Sequence, residues 1–125
     1  MQEVRFRVGE TIFAEDDPSD HGFKIVSGKV EISLHVPGTL KRGRKEVVHT
    51  AGPGEIIGEM SVIEKGPRSA TAVAIEPTVC LAFTAEEILD VLEHDPHQAL
   101  AYIRTLIRRL RHTNKAVSMS AARRG

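Results

Sequence analysis

Phe23-Lys24-Ile25-Val26-Ser27-Gly28-Lys29-Val30-Glu31-Ile32-Ser33-Leu34 is the stretch whose spacing decides the fold. Apolar residues fall at alternate positions on both sides of Ser27-Gly28-Lys29, at Phe23 and Ile25 before it and at Val30, Ile32 and Leu34 after it. This period belongs to a strand with one buried face, because a helix would bring apolar residues together three and four apart. The glycine between the two runs marks a turn. The same signature extends outward. Upstream lie Ile12-Phe13 and Val4-Phe6-Val8; downstream the alternation continues to Val36 and is followed by Val47-Val48, Ala70–Ile75 and Thr78–Phe83. Turn residues separate the runs at Asp17-Pro18-Ser19-Asp20, Pro37-Gly38, Arg42-Gly43-Arg44 and Gly52-Pro53-Gly54. Roughly eight short strands predict a mainly β chain folded as an antiparallel, jelly-roll-like β-roll.

Beyond Phe83 the period changes. Thr84-Ala85-Glu86-Glu87 reads as a helix N-cap with acids in the first turn, opening a helix that carries Ile88, Leu89, Val91 and Leu92. Asp95-Pro96 restarts it. The next helix places Ala99, Tyr102, Ile103, Leu106, Ile107 and Leu110 on one face and Arg104, Arg108, Arg111 and Lys115 on another. The apolar stripe needs cover, from the β-roll or from the same helix of a second copy. Residues 1–117 are expected to form one domain, with 118–125, small and basic, as a flexible tail.

With 125 residues, 41% of them hydrophobic and 27% charged, the chain has the size and composition of one ordinary globular domain. The formal charge of zero conceals a split of −7 before Pro96 and +7 from there on, where six Arg and one Lys face no acid. Such a split suits contact with an acidic surface, though a solvated helix face accounts for it more simply. Cys80 is the only cysteine and lies in an apolar run, so no internal disulfide can form. No apolar stretch approaches the ~20 residues that span a bilayer, and no signal-peptide pattern opens the chain. The cytoplasm is the expected compartment.

The chemistry concentrates in Gly54-Glu55-Ile56-Ile57-Gly58-Glu59-Met60-Ser61-Val62-Ile63-Glu64-Lys65-Gly66-Pro67-Arg68-Ser69-Ala70-Thr71, which interrupts the strand pattern. Gly58 permits a tight turn and close approach of a ligand, and Glu59 through Ile63 can form one helical turn with free amides. Arg68, ten positions after Gly58, opens the next strand, so a return of the chain can bring its guanidinium to the same place. Amides and guanidinium together suit a phosphate. Glu59 suits the hydroxyl donors of a sugar, and a sugar phosphate satisfies both.

These residues resemble the cyclic nucleotide-binding domains of bacterial catabolite activator proteins, cyclic-nucleotide-gated channels and cyclic-AMP-dependent protein kinase regulatory subunits. The resemblance rests on a phosphate-binding cassette, here Gly58-Glu59-Met60-Ser61 with Pro67-Arg68-Ser69-Ala70-Thr71. Phe23 through Glu31 and Gly9-Glu10-Thr11-Ile12-Phe13 support it. It implies a sensor that binds cAMP or cGMP without catalysis. Arg68 would pair with the exocyclic phosphate oxygens and Glu59 would accept from the ribose 2′-hydroxyl. Amides around Gly58, Met60, Ser61, Ser69 and Ala70 would complete the cradle, with Val48 and Ile57 flanking the purine. The last helix would act as a lid, with Arg108, Leu110 or Arg111 over the base, and would pass the signal to an effector domain or a second copy. The family usually has glycine where this chain reads Glu15-Asp16-Asp17-Pro18, so an aspartate is expected to bear a left-handed backbone at some cost. The helical segment that precedes the roll in the family and an effector after the last helix are both expected to be missing, as in a sensor cut from a longer protein or a small stand-alone one.

Other readings carry less. The six histidines, at positions 21, 35, 49, 94, 97 and 112, contain no His-x-His pair, so no metal site is expected and a metal-binding cupin is disfavoured. Ser61 has no neighbouring base in sequence, and Cys80 is expected to be buried, so neither is a credible nucleophile. A degenerate pocket would leave a non-catalytic interaction or dimerisation module. Nucleic acid is not the expected partner of the basic helix; it would bring steeply salt-dependent affinity.

Overall fold

The computed structural model describes residues 1–35 and 45–124, with the side chains of the last helix described through His112. Val36, the expected turns at Pro37-Gly38 and Arg42-Gly43-Arg44, and the side chain of Lys115 lie outside the described residues. In chain order the elements are β1 (Gln2–Phe6), β2 (Thr11–Phe13), β3 (Gly22–Ser27), β4 (Val30–His35), β5 (Lys45–Ala51), β6 (Ile56–Ile57), α1 (Met60–Ile63), β7 (Thr71–Ala74), β8 (Thr78–Phe83), α2 (Ala85–His94) and α3 (Pro96–Arg124). Two compact units divide at Ile88/Leu89, inside α2.

The first unit holds two antiparallel four-stranded sheets, ordered β1-β8-β3-β6 and β2-β7-β4-β5. Alternation along the strands sends one set of side chains inward from each sheet. Phe23, Ile25, Ile57, Cys80 and Ala82 from the first meet Val30, Ala51 and Ala72 from the second in one buried cluster. Burial pushes the Cys80 thiol up to about 11, which leaves it a small hydrophobe.

The two strands of the opening stretch do not pair with each other. β3 bonds to β6 and β8 while β4 bonds to β5 and β7, so Gly28 turns a corner from one sheet to the other. Its φ of +99° is open to glycine, and a Cβ there would collide with Thr78 and with the Pro77 carbonyl. The alternation also breaks. Between Ile32 and Ser33 the pairing of β4 with β5 shifts register past Val48, after which Ser33 is buried and Leu34 exposed. The extra residue of the bulge lies in β5, and a uniform period cannot register it.

Helix starts follow the sequence closely. The Glu87 amide donates to Thr84 Oγ1 at 3.2 Å and the Thr84 amide donates to Glu87 Oε1 at 3.1 Å, a reciprocal capping box for α2. Asp95 Oδ1 accepts from the amides of His97 and Gln98 at the start of α3, where Pro96 occupies the first helical position. Thr84→Ala is expected to cost about 1 kcal/mol of stability in a denaturant titration. In the second unit α3 continues past Val117 to Arg124. Among the described residues no helix is long and apolar enough to cross a membrane.

Candidate functional site

The cassette begins where β6 ends. Ile57 is buried beside β3, pairing with Phe23, and Gly58 then turns with φ +72°. Glu59 stands at the N-cap of α1, its side chain 1% exposed. The chain passes through the single turn of α1 and returns at Arg68, which is 4% exposed. Neither charged residue lies on the surface, so an exposed ion pair at a strand end is not what the sequence encodes here.

Arg68 is held from several directions. Its Nη1 donates to the Gly58 carbonyl at 2.9 Å and to Ser61 Oγ at 3.4 Å, and its Nη2 donates to the His21 carbonyl at 2.6 Å. The guanidinium carbon lies 4.4 Å from the centre of the Phe13 ring, within cation–π range, and Phe13 stacks in turn on Phe23. A Cβ on residue 58 would stand 2.7 Å from Nη1 and 2.8 Å from Phe13 Cε2, so glycine is required for this packing as well as for the turn. The third guanidinium nitrogen, Nε, is buried without a hydrogen-bond partner. Burial pulls the guanidinium below the usual arginine range, against the opposing pull of the Asp20 and Asp17 carboxylates. It stays a cation at neutral pH.

The loop after β2 positions this arginine. Asp16 donates its amide to the Arg68 carbonyl at 2.8 Å, and the Arg68 amide donates to the Asp17 carbonyl at 2.9 Å. Ser19 Oγ donates to the carbonyls of Ser61 and Gly66, fastening the loop to the far side of the cassette. Glu15 adds its amide to Thr71 Oγ1. Asp16 carries the left-handed backbone expected there, at φ +71°. A hollow of about 610 Å³ opens beside the loop between Pro18, Asp20, Val62, Lys65 and Pro67, and neither Arg68 nor Glu59 lines it.

Of the residues singled out from sequence, Ile57, Gly58, Glu59, Met60, Ser61, Arg68, Ser69 and Ala70 all belong to this segment. Gly58, Ser61 and Arg68 are in direct contact. Met60 and Ser69 are exposed and Ala70 is half-buried. Val48 is the residue skipped at the β5 bulge and is exposed. Arg108, Leu110 and Arg111 are on α3, in the second unit. Sequence reasoning missed Phe13, Ser19 and His21; the aromatic at the end of the Gly9–Phe13 run was the one available signal. Among the described residues no group of three His, Cys, Asp or Glu could hold a metal ion.

The first unit is thus a pair of antiparallel sheets carrying a glycine-to-arginine cassette with a short helical turn and a buried arginine. The profile of the cyclic nucleotide-binding domain matches residues 3–95, and the chain belongs to that family. A CRP-like cAMP-activated global transcriptional regulator of Mycobacterium tuberculosis is 33% identical over 114 residues, covering 91% of this chain and 49% of the regulator. The crystal structure of Thermus thermophilus catabolite activator protein superposes with a TM-score of 0.83 at 32% identity, over 96% of this chain and 55% of that one. The cAMP-bound form of the EAL enzyme Bd1971 superposes with a TM-score of 0.66 at 28% identity, over 95% of this chain and 30% of that one. The chain thus spans about half the length of the curated relatives it matches.

The residues present fit a cyclic nucleotide. The cassette holds a buried guanidinium whose Nε has no hydrogen-bond partner and, on the other side of α1, the buried Glu59 carboxylate, the two kinds of group that a phosphate and a sugar hydroxyl require.

Proposed function

We propose that this chain is a non-catalytic sensor that binds cAMP or cGMP through the cassette and relays occupancy through α3. The observation that carries the reading is Arg68 Nε, a buried donor without an acceptor in a residue whose other two nitrogens donate to the Gly58 and His21 carbonyls. A buried polar group left unsatisfied costs ~1–3 kcal/mol, more on a charged group, and a cyclic phosphate oxygen recovers that cost on binding. The relatives support the ligand class: one is described as cAMP-activated, and Bd1971 has both a cAMP-bound and a cGMP-bound form.

In this reading Arg68 takes the phosphate, Glu59 takes the ribose 2′-hydroxyl, and amides around Gly58, Met60, Ser61, Ser69 and Ala70 close the cradle. Val48 and Ile57 flank the base, with Arg108, Leu110 or Arg111 supplying the cap. An effector elsewhere in a longer protein, or a second copy engaged through α3, receives the signal in the cytoplasm. Moving such a switch from 1:99 to 99:1 requires a ligand that favours one state by about 5.5 kcal/mol.

Titration calorimetry with cAMP and with cGMP tests this. Heat at one ligand per chain is the expected result. Its absence with both nucleotides would leave an interaction or dimerisation module with a degenerate pocket.

A further inference from the structure

One hydroxyl joins the loop after β2 to the helical limb of the cassette. Ser19 Oγ lies 2.8 Å from the Ser61 carbonyl oxygen and 2.9 Å from that of Gly66, across 42 and 47 positions of sequence. A serine hydroxyl carries a single proton, so the two oxygens share it. They belong to the two ends of one turn, because the Gly66 amide donates to the Ser61 carbonyl at 3.2 Å. The loop's main-chain bonds to Arg68, through Asp16 and Asp17, hold the returning limb of the cassette, whereas Ser19 holds the outgoing one.

Beside this tie the packing opens. The hollow of about 610 Å³ has Asp16, Pro18 and Asp20 on the loop's wall and Val62, Lys65 and Pro67 on the cassette's, and Ser19 and Gly66 line it as well. Atoms that face a hollow have no neighbours on that side to contribute attraction, so the hydroxyl is a polar contact at a place where packing is thin. Its effect reaches the arginine through Ser61, whose Oγ accepts from Arg68 Nη1 at 3.4 Å.

We infer that Ser19 is a positioning residue whose hydroxyl clamps the Ser61–Gly66 turn against the loop and so holds Ser61 beside Arg68 in the arrangement that receives the phosphate of cAMP or cGMP. The inference rests on the reading of Arg68 as the phosphate's partner. Without the hydroxyl the turn exchanges between clamped and released forms, and only the clamped form presents Ser61 and Arg68 together. Apparent affinity then falls in proportion to the fraction that stays clamped. The contact with Gly66 is exposed and that with Ser61 partly buried, so water replaces the hydroxyl more readily at the first than at the second. The bias supplied by one such bond corresponds to about three- to tenfold in Kd.

Calorimetric titration with cAMP and with cGMP on the unmodified chain, on Ser19→Ala and on Ser19→Thr, joined to amide hydrogen exchange on the unliganded proteins, provides the test. Ser19→Ala is expected to bind about three- to tenfold more weakly. Its amides from Ser61 to Gly66 should exchange faster, that of Gly66 above all, while β3 and β8 exchange as in the unmodified chain. Threonine keeps the hydroxyl, so Ser19→Thr should recover most of the lost affinity. Alanine at 19 with undiminished affinity, a threonine variant as weak as the alanine one, or faster exchange spread evenly over β3 and β8 would overturn the positioning role and leave Arg68 untouched. An unmodified chain that binds neither nucleotide would overturn the site reading and this inference together.

Discussion

Replacing Arg68 by alanine is expected to weaken cyclic nucleotide binding by at least about a hundredfold, close to 3 kcal/mol, because a desolvated phosphate then loses its charge-assisted partner. The size follows from burial. At 4% exposure the guanidinium faces little competing water, unlike an exposed ion pair, which contributes ~0–1 kcal/mol. Stability should change less than affinity. The variant leaves the carbonyls of Gly58 and His21 without their donor, but it also removes a buried charge with an unsatisfied Nε. Arg68→Lys separates charge from shape. Lysine keeps the cation but cannot reach both carbonyls while presenting a further donor, so its affinity should fall between the other two. Calorimetry gives the affinities and circular dichroism the retained fold. Alanine at 68 with undiminished affinity would remove Arg68 from the site.

Gly58→Ala carries the second large effect, mainly on folding. The residue sits at φ +72°, where an L side chain costs roughly 1–2 kcal/mol, and its Cβ would press on Arg68 Nη1 and the Phe13 ring. Overpacking in a filled site adds about 1–3 kcal/mol. The expected loss is about 2–5 kcal/mol, or a fall in melting temperature on the order of 10 °C. The guanidinium must also shift, so affinity should drop in whatever fraction remains folded. A variant that melts within a degree or two of the parent would show that the contact is slack.

Much of this architecture could be read from residue order. Alternating apolar residues locate strands because each one buries a single face, and Thr84 with Glu87 and Asp95 with Pro96 announce helix starts because side-chain oxygens must meet unpaired amides. Periodicity does not say which strand lies beside which, so the corner at Gly28 emerged only from the sheet order. β6 is two residues long, too short for any period to show, and Leu34, which the alternation places inside, is exposed just past the register shift at Val48. In the cassette, Gly58 was legible because a left-handed turn demands glycine, and Arg68 because its spacing lets the returning chain bring it back to that turn. Phe13 and Ser19 act from a distant part of the chain, and His21 contributes a main-chain oxygen, which leaves no mark on residue identity.

That oxygen, together with the one at Gly58, has an evolutionary corollary. Most substitutions in the Asp16–His21 loop preserve the main-chain atoms that seat Arg68, whereas adding or deleting a single residue there would displace them. Divergent homologues should therefore hold the length of this loop more tightly than its residues, Ser19 excepted, whose hydroxyl ties the loop to the cassette.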